Sequence, residues 1–244
     1  TWQTSVSKGV GLPGDGGVLN LSAEWARATK KLTSPYESYT RRGLGITYSN
    51  TFAKVLRFEA GVNGNLGGMD SKDDPDAFVG EYSKVRDNTL RANTSLTWLL
   101  NRPWITNLKA DAFVNYADNL SHNHKYNSSA SQLPAVHSEQ EGYSYATLLP
   151  AGKYFSDQMV DSRELDYGAS LKYSLVNRLG GYKSAFKAGV QWKANGNVGE
   201  GEYYLDPDLA ADGYRPRPYR DYPFMHNISA YVEEDFTFPF GLEL

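Results

Sequence analysis

The sequence predicts an all-β fold, an antiparallel up-and-down transmembrane β-barrel to which this chain contributes about eight or nine strands. Three observations support this prediction. Apolar and polar residues alternate along most of the chain, the connections between alternating segments are long and short in turn, and aromatic residues gather at both ends of the segments. Transmembrane strands need this pattern because one face meets lipid, the other meets water, and rings with a polar edge settle at the headgroups.

A hairpin from Leu90 to Tyr116 shows the alternation most clearly. Its mainly apolar rows are Leu90, Ala92, Thr94, Leu96, Trp98 and Leu100 in the first arm, and Leu108, Ala110, Ala112, Val114 and Tyr116 in the second. Asn101 and Pro103 mark the turn, because both residue types favour turn conformations. Phe113 departs from the pattern, since it is a large apolar residue in a polar row. Each arm has about ten residues, and roughly nine to eleven tilted residues cross a bilayer core.

The other elements follow the same alternation. Residues 1–17 are predicted to be a connector because glycine and proline are frequent there. Residues 18–244 are predicted to belong to the barrel. Further strands are expected near 19–27, 44–48, 56–66, 165–175, 186–194 and 228–236, with long extracellular loops near 68–88, 117–160 and 196–224 and a short hairpin near 143–149. The last residues, 242–244, resemble the start of another strand, which indicates one stretch of a larger barrel.

The alternation of long and short connections indicates a location in the bacterial outer membrane. Alternate connections of an up-and-down sheet lie at opposite ends, so one end would carry tight turns and the other large loops, as in outer-membrane barrels. Two alternatives remain open. One is a soluble or surface-exposed β-sheet module that binds glycans, and the other is an outer-membrane barrel without a transport function, such as an adhesin.

Composition narrows the functional classes. The 244 residues contain 25 Lys and Arg against 28 Asp and Glu, a formal net charge of −3, which argues against nucleic acid as a partner. The absence of cysteine excludes a disulfide scaffold and a cysteine-ligated metal. No apolar run approaches the length of a transmembrane helix. The sequence contains no recognisable Ser-His-Asp or Cys-His set and no phosphate-binding loop, so we do not expect an enzyme.

Two groups of side chains are candidates for contact with water-filled space or a ligand. The polar rows are predicted to face the lumen and carry charges of both signs, at Arg57, Glu59, Arg91, Lys109, Asp111, Lys172, Lys187 and Lys193. The last long loop combines aromatic faces with guanidinium groups, at Tyr203, Tyr204, Tyr214, Arg215, Arg217, Tyr219 and Arg220. That combination suits sugar stacking or contact with a protein lid, and the alternative is a loop that packs on itself.

Two further groups of residues are candidate metal ligands. Asp70, Asp73, Asp74 and Asp76 could hold a structural calcium because carboxylates are hard oxygen ligands, although the segment lacks the glycine and terminal glutamate of an EF-hand. His122 and His124 could share a metal if they lay on a strand. In both cases a solvated loop is the alternative, and no other cofactor is expected.

Several phrases, in their shared order, resemble the barrel of SusC-like TonB-dependent transporters of Bacteroidota. They include Ser34–Ser38 before a strand ending at Phe52, Gly61–Gly68, and Ile228–Phe236. The resemblance implies a barrel of about 22 strands that imports a bulky nutrient, a glycan or peptide, and is plugged by an N-terminal domain. It also implies a SusD-like surface lipoprotein lid and coupling to TonB through the plug. The plug and the TonB-contacting segment are expected outside these 244 residues.

Overall fold

The structure, a computed structural model, is all-β and is organised around one large antiparallel sheet. It describes residues 1–13, 16–32, 36–76, 80–129, 133–140, 143–149, 152–179, 181–210 and 214–238. The strands are β1 (Trp2–Gly11), β2 (Val18–Lys30), β3 (Tyr36–Phe52), β4 (Leu56–Lys72), β5 (Tyr82–Arg102), β6 (Ile105–Ser129), β7 (Leu133–Gln140), β8 (Tyr143–Leu149), β9 (Gly152–Leu179), β10 (Tyr182–Asn197), β11 (Gly201–Tyr204) and β12 (Met225–Thr237). Among these residues, no helix has the length and apolarity needed to cross a membrane.

The sheet has ten strands in an up-and-down order. Its path is β1-β2-β3-β4-β5-β6-β9-β10-β12, β11 pairs with β9, and β7 and β8 form a separate two-stranded hairpin. The predicted antiparallel all-β order is therefore confirmed. Over the described residues the sheet is open, with β1 and β12 at its edges. The strand expected to begin at 242–244 lies outside the described residues.

The connector predicted for residues 1–17 is wrong for residues 2–11. This segment is β1, which pairs with β2 over its whole length, from Trp2 opposite Arg27 to Gly11 opposite Val18. The backbone bonds to β2 outweigh the weak strand preference of its glycines, and the Trp2 ring packs edge-on against Trp25 at 4.5 Å. β1 is an edge strand, and its sequence lacks the strong apolar row by which the other strands are predicted.

Several strands run well beyond the segments predicted from alternation. β6 has 25 residues and β9 has 28, so most of the region predicted as a loop at 117–160 is strand. The predicted loop at 68–88 is confined to 73–81, and the one at 196–224 contains β11 and two 3₁₀ helices, Pro207–Leu209 and Tyr219–Asp221. The extensions are held by cross-strand backbone pairs, which need no apolar face.

The two ends of the sheet differ in their connections. One end carries the short turns at 12–17, 53–55, 103–104 and 180–181, and we call it the turn end. The other carries the connections 31–35, 73–81, 130–151 and 198–224, and we call it the loop end. Just before the turn at 103–104, Asn101 has a φ of 46°, a left-handed conformation that asparagine tolerates.

The register gives the sheet one apolar face and one polar face. Residues directly opposite each other share a face. The row through Leu90 contains only apolar residues and glycines from β1 to β10. On this apolar face the aliphatic side chains are bare, with Leu171 45% exposed, Val190 46% and Ile228 77%. Charged residues interrupt the face on the two edge strands, at Lys8 and Glu234.

The exposed apolar band crosses the strands obliquely. On β2 it runs from Leu19 at the turn end to Trp25, and on β12 it runs from Ile228 at the loop end to Phe236. The register nevertheless places Leu19 and Ile228 in one row across the sheet. The centre of the band therefore moves towards the turn end by about one residue for each strand, a stagger of the kind that barrels have.

Phe113, the exception in the predicted hairpin, lies on the polar face against a glycine of the next strand. A Cβ atom at Gly168 would lie 3.0 Å from the Phe113 ring, and Phe113 is the direct partner of Gly168. Tyr231 covers Gly189 in the same way, between β12 and β10. The rings cover backbone that glycine leaves bare, which explains an aromatic residue in a polar row.

Candidate functional site

The charged residues predicted from the polar rows all lie on the polar face. Arg57, Glu59, Arg91, Lys109, Asp111, Lys172, Lys187 and Lys193 share this face by register across β4, β5, β6, β9 and β10. Their position indicates a hydrated surface that is continuous across the middle of the sheet.

Most of these charges are paired on the face itself. Asp111 lies 3.1 Å from Lys109 Nζ and 3.3 Å from Lys172 Nζ. Arg57 donates to Glu59 at 2.9 Å, and Lys187 contacts Glu233 and Asp235 of β12, each at 2.8 Å. Exposed pairs of this kind contribute roughly 0–1 kcal/mol each, so they organise the face more than they stabilise it. Among the described residues, Arg91 and Lys193 have no carboxylate partner.

A pocket of about 620 Å³ opens at the loop end of the polar face, where the segment 198–224 returns towards β12; we call it the rim pocket. Its floor comes from neighbouring positions of β9 and β10, with Asp166 opposite Asn195 and Glu164 opposite Asn197. Its walls come from the long segment and include Tyr219 and Tyr222. Within the described ranges, neither Glu164 nor Asp166 forms an ion pair, so both carboxylates are available to accept hydrogen bonds from a ligand.

Two polar side chains, one on each face of the sheet, fix the course of the long segment where it leaves β10. Asn197 accepts hydrogen bonds from the backbone N–H groups of Arg163 and Gly199, both at 2.9 Å. Asp161 is 2% exposed, lies 2.9 Å from Arg163 Nη2, and accepts a bond from the Glu200 N–H at 3.4 Å. The chain is thereby held against β9 before it forms β11.

The seven residues predicted as a contact loop do not converge on one cavity. Tyr204 and Tyr214 pack together with ring centroids 5.0 Å apart, and the Tyr214 hydroxyl donates to the Glu202 carbonyl at 3.4 Å. Arg220 pairs with Glu200. Tyr203 lies opposite Met159 on the apolar face, Arg215 and Arg217 are exposed, and Tyr219 lines the rim pocket. Self-packing therefore accounts for part of this segment.

The pocket carboxylates were not predicted as a site. Glu164 and Asp166 lie in the middle of β9 and Asn195 lies near the end of β10, each in a polar row beside the apolar row that predicts the strand. The signal that could have found them is the coincidence of unpaired acids with a long aromatic connection that follows the next strand. Their arrangement can bind hydroxyl or amino groups, with the tyrosine rings available for stacking.

The two histidines predicted to lie in a loop instead lie on β6, beyond the apolar band. His122 Nε2 and His124 Nδ1 lie 2.7 and 2.9 Å from the same oxygen of Asp157 on β9. His124 is stacked between the rings of Tyr82 and Phe155, at 4.8 and 4.6 Å. The group ties β5, β6 and β9 together at the loop end.

Asp157 gives this cluster a pH dependence. Partial burial raises the pKa of its carboxyl, but hydrogen bonds from His122 and His124 outweigh burial, and the pKa lies below its ordinary value. Such a carboxylate stabilises the fold above its unfolded pKa of about 3.9, and the stabilisation is lost as pH falls through the lower folded pKa. We expect the difference in unfolding free energy between wild type and Asp157→Asn to shrink from pH 5 to pH 2, measured by denaturant titration. A difference that grows on acidification would contradict the assigned bonds.

The acidic segment predicted as a calcium site is organised by its own hydrogen bonds. Asp74 accepts from the Tyr36 hydroxyl at 3.1 Å and from the Asp76 N–H at 2.9 Å, and Asp73 accepts from the Glu81 N–H at 3.3 Å. Asp70 lies on β4. Across the parts of the chain that the structure describes, no three His, Cys, Asp or Glu side chains form a group that could hold a metal ion. A structural calcium stays a prediction.

Comparisons of the chain with known protein families, curated proteins and solved structures find no match.

Proposed function

We propose that this chain forms part of a transmembrane β-barrel of the bacterial outer membrane, and that the barrel imports a bulky nutrient, a glycan or peptide. In this proposal the apolar face meets lipid and the polar face lines the lumen. The resemblance to SusC-like TonB-dependent transporters supplies the remaining parts, namely a barrel of about 22 strands, a plug that contacts TonB, and a surface lipoprotein lid.

The oblique apolar band is the observation that carries the membrane assignment. A shift of one residue per strand, with about 3.3 Å per residue and about 4.8 Å between strands, corresponds to a tilt of about 35°. Strands of outer-membrane barrels tilt by roughly 35–45°. On β9 the band spans Leu165 to Leu175, which at this tilt gives a height of about 27 Å, close to the apolar belt of about 25 Å in such barrels.

The contrast between the two ends supports the proposed orientation of the barrel. The long connections 73–81, 130–151 and 198–224 all lie at the loop end, whereas the turn end has only short ones, which fits extracellular and periplasmic sides. The extensions of β6 and β9 would stand above the membrane. The rim pocket would lie at the extracellular mouth of the lumen, where Glu164 and Asp166 could contact an incoming hydroxyl-rich or amine-bearing solute.

The membrane assignment is tested by the solvent that the folded chain requires. We expect the complete barrel that contains this chain to show strand-type circular dichroism and a discrete particle in detergent or lipid vesicles. It should aggregate in plain buffer, because the exposed apolar band must be covered. A folded monomer in plain buffer would favour the soluble glycan-binding alternative. Growth on a panel of oligosaccharides and peptides, with and without the gene, then separates import from a barrel without transport.

A further inference from the structure

A groove on the apolar face has a chemical character of its own. It has a volume of about 1160 Å³ and crosses β1 to β6 at the loop-end margin of the apolar band. Its floor is low because Ala23 and Gly64 carry almost no side chain, and the rings of Trp25 and Tyr116 stand at its sides. Gly64 has room above it, since the nearest atoms to a Cβ there would be the Thr89 carbonyl oxygen at 3.7 Å and a Leu90 methyl at 3.8 Å.

Two guanidinium groups stand beside this groove on the same face. Arg42 lines the groove and lies over the Trp25 ring, 6.0 Å from its centroid. Arg27 follows Trp25 by two residues on β2, and its direct partner Thr40 precedes Arg42 by two residues on β3. The two arginines are therefore diagonal neighbours across the β2–β3 pair, with backbone positions about 7–8 Å apart. At that separation both side chains can reach one phosphate.

Their charges are not neutralised within the sheet. In the described part of the chain, neither Arg27 nor Arg42 has a carboxylate partner, whereas Asp118, which also lines the groove, pairs with Arg86 at 2.8 Å. The two arginines are exposed, have no carboxylate partner among the described residues, and lie next to an aromatic ring at the margin of an aliphatic surface. This arrangement suits the boundary between an anionic headgroup and its acyl chains.

We propose that this groove binds a membrane lipid with an anionic phosphate headgroup, held by Arg27 and Arg42, with an acyl chain along the floor formed by Ala23 and Gly64. This proposal rests on the membrane assignment above. It concerns the lipid-facing side of the sheet and does not involve the rim pocket or the transported solute.

The test compares insertion into vesicles of phosphatidylglycerol with insertion into vesicles of phosphatidylcholine. The wild-type protein, tested as the complete barrel that contains this chain, is expected to be retained more strongly by phosphatidylglycerol vesicles. Arg27→Gln with Arg42→Gln is expected to weaken that preference about 10- to 30-fold, since each arginine near an anionic surface contributes roughly one kcal/mol. The control is Arg41→Gln with Arg57→Gln, which removes the same charge from the polar face and should keep the preference.

A second variant tests the groove itself. Gly64→Leu fills the floor and is expected to reduce retained phosphatidylglycerol, measured by native mass spectrometry, whereas Ala60→Leu, four residues earlier on the same face, should not. If neither the Arg27→Gln/Arg42→Gln double variant nor Gly64→Leu changed the binding of phosphatidylglycerol, the lipid site would be overturned. Insertion without any headgroup preference would also overturn the site but leave the membrane assignment intact, and failure to insert into either vesicle would remove both.

Discussion

Replacing Leu171 by arginine is expected to lower the free energy of unfolding by about 2–4 kcal/mol in lipid vesicles. Leu171 is 45% exposed in the middle of the apolar band on β9, with strands on both sides. If this face meets hydrocarbon, an arginine there loses its hydration. If the face met water, an exposed leucine could be changed to arginine within about 0.5 kcal/mol. Urea titration of the complete barrel that contains this chain, inserted in vesicles, measures the difference.

Ser170→Arg is the matched control, because Ser170 is the adjacent residue on the opposite face. Its hydroxyl lies 3.3 Å from the Asp111 carboxylate, which could form an ion pair with an arginine at position 170. This variant is expected to be far milder than Leu171→Arg. Equal losses for the two variants would mean that the faces are wrongly assigned, and the membrane proposal would fall with them.

The part of the fold that could be predicted from sequence is the part where the two faces differ. All eight segments with period-two alternation are strands of the sheet, because bare aliphatic rows beside charged rows leave a clear pattern. Beyond the apolar band both faces are polar, as at His122, Asn123 and His124, so the extension of β6 leaves no period to detect. β1 was missed for a related reason, since Thr4 and Lys8 interrupt its row.

The rim pocket could not be predicted because long-range contacts build it. Glu164 and Asp166 gain significance only when the segment 198–224 folds back over them. That course depends on Asn197 and Asp161, whose bonds to distant N–H groups have no local signature in the sequence. The aromatic and arginine content of the segment was visible, but which of its rings would face a cavity was not.

Gly199→Ala is expected to detach the segment 198–224 from β9 and lower the free energy of unfolding by about 1–3 kcal/mol. A Cβ at this position would collide with the Asp161 carbonyl oxygen and lie 2.9 Å from the Arg163 nitrogen, both of them backbone atoms of β9 that cannot turn away. The displacement would also break the bond from the Gly199 N–H to Asn197. Denaturant titration measures the loss, and limited proteolysis should show faster cleavage within the segment.

Gly80→Ala supplies the comparison, because no atom lies within 4 Å of a Cβ at that loop position. Alanine there restricts the unfolded chain and is expected to be neutral or slightly stabilising. If Gly199→Ala were as stable and as protease-resistant as Gly80→Ala, the segment would not be packed on β9. The rim pocket would then lose the walls formed by Tyr219 and Tyr222, and with them its place in the proposed route of the nutrient.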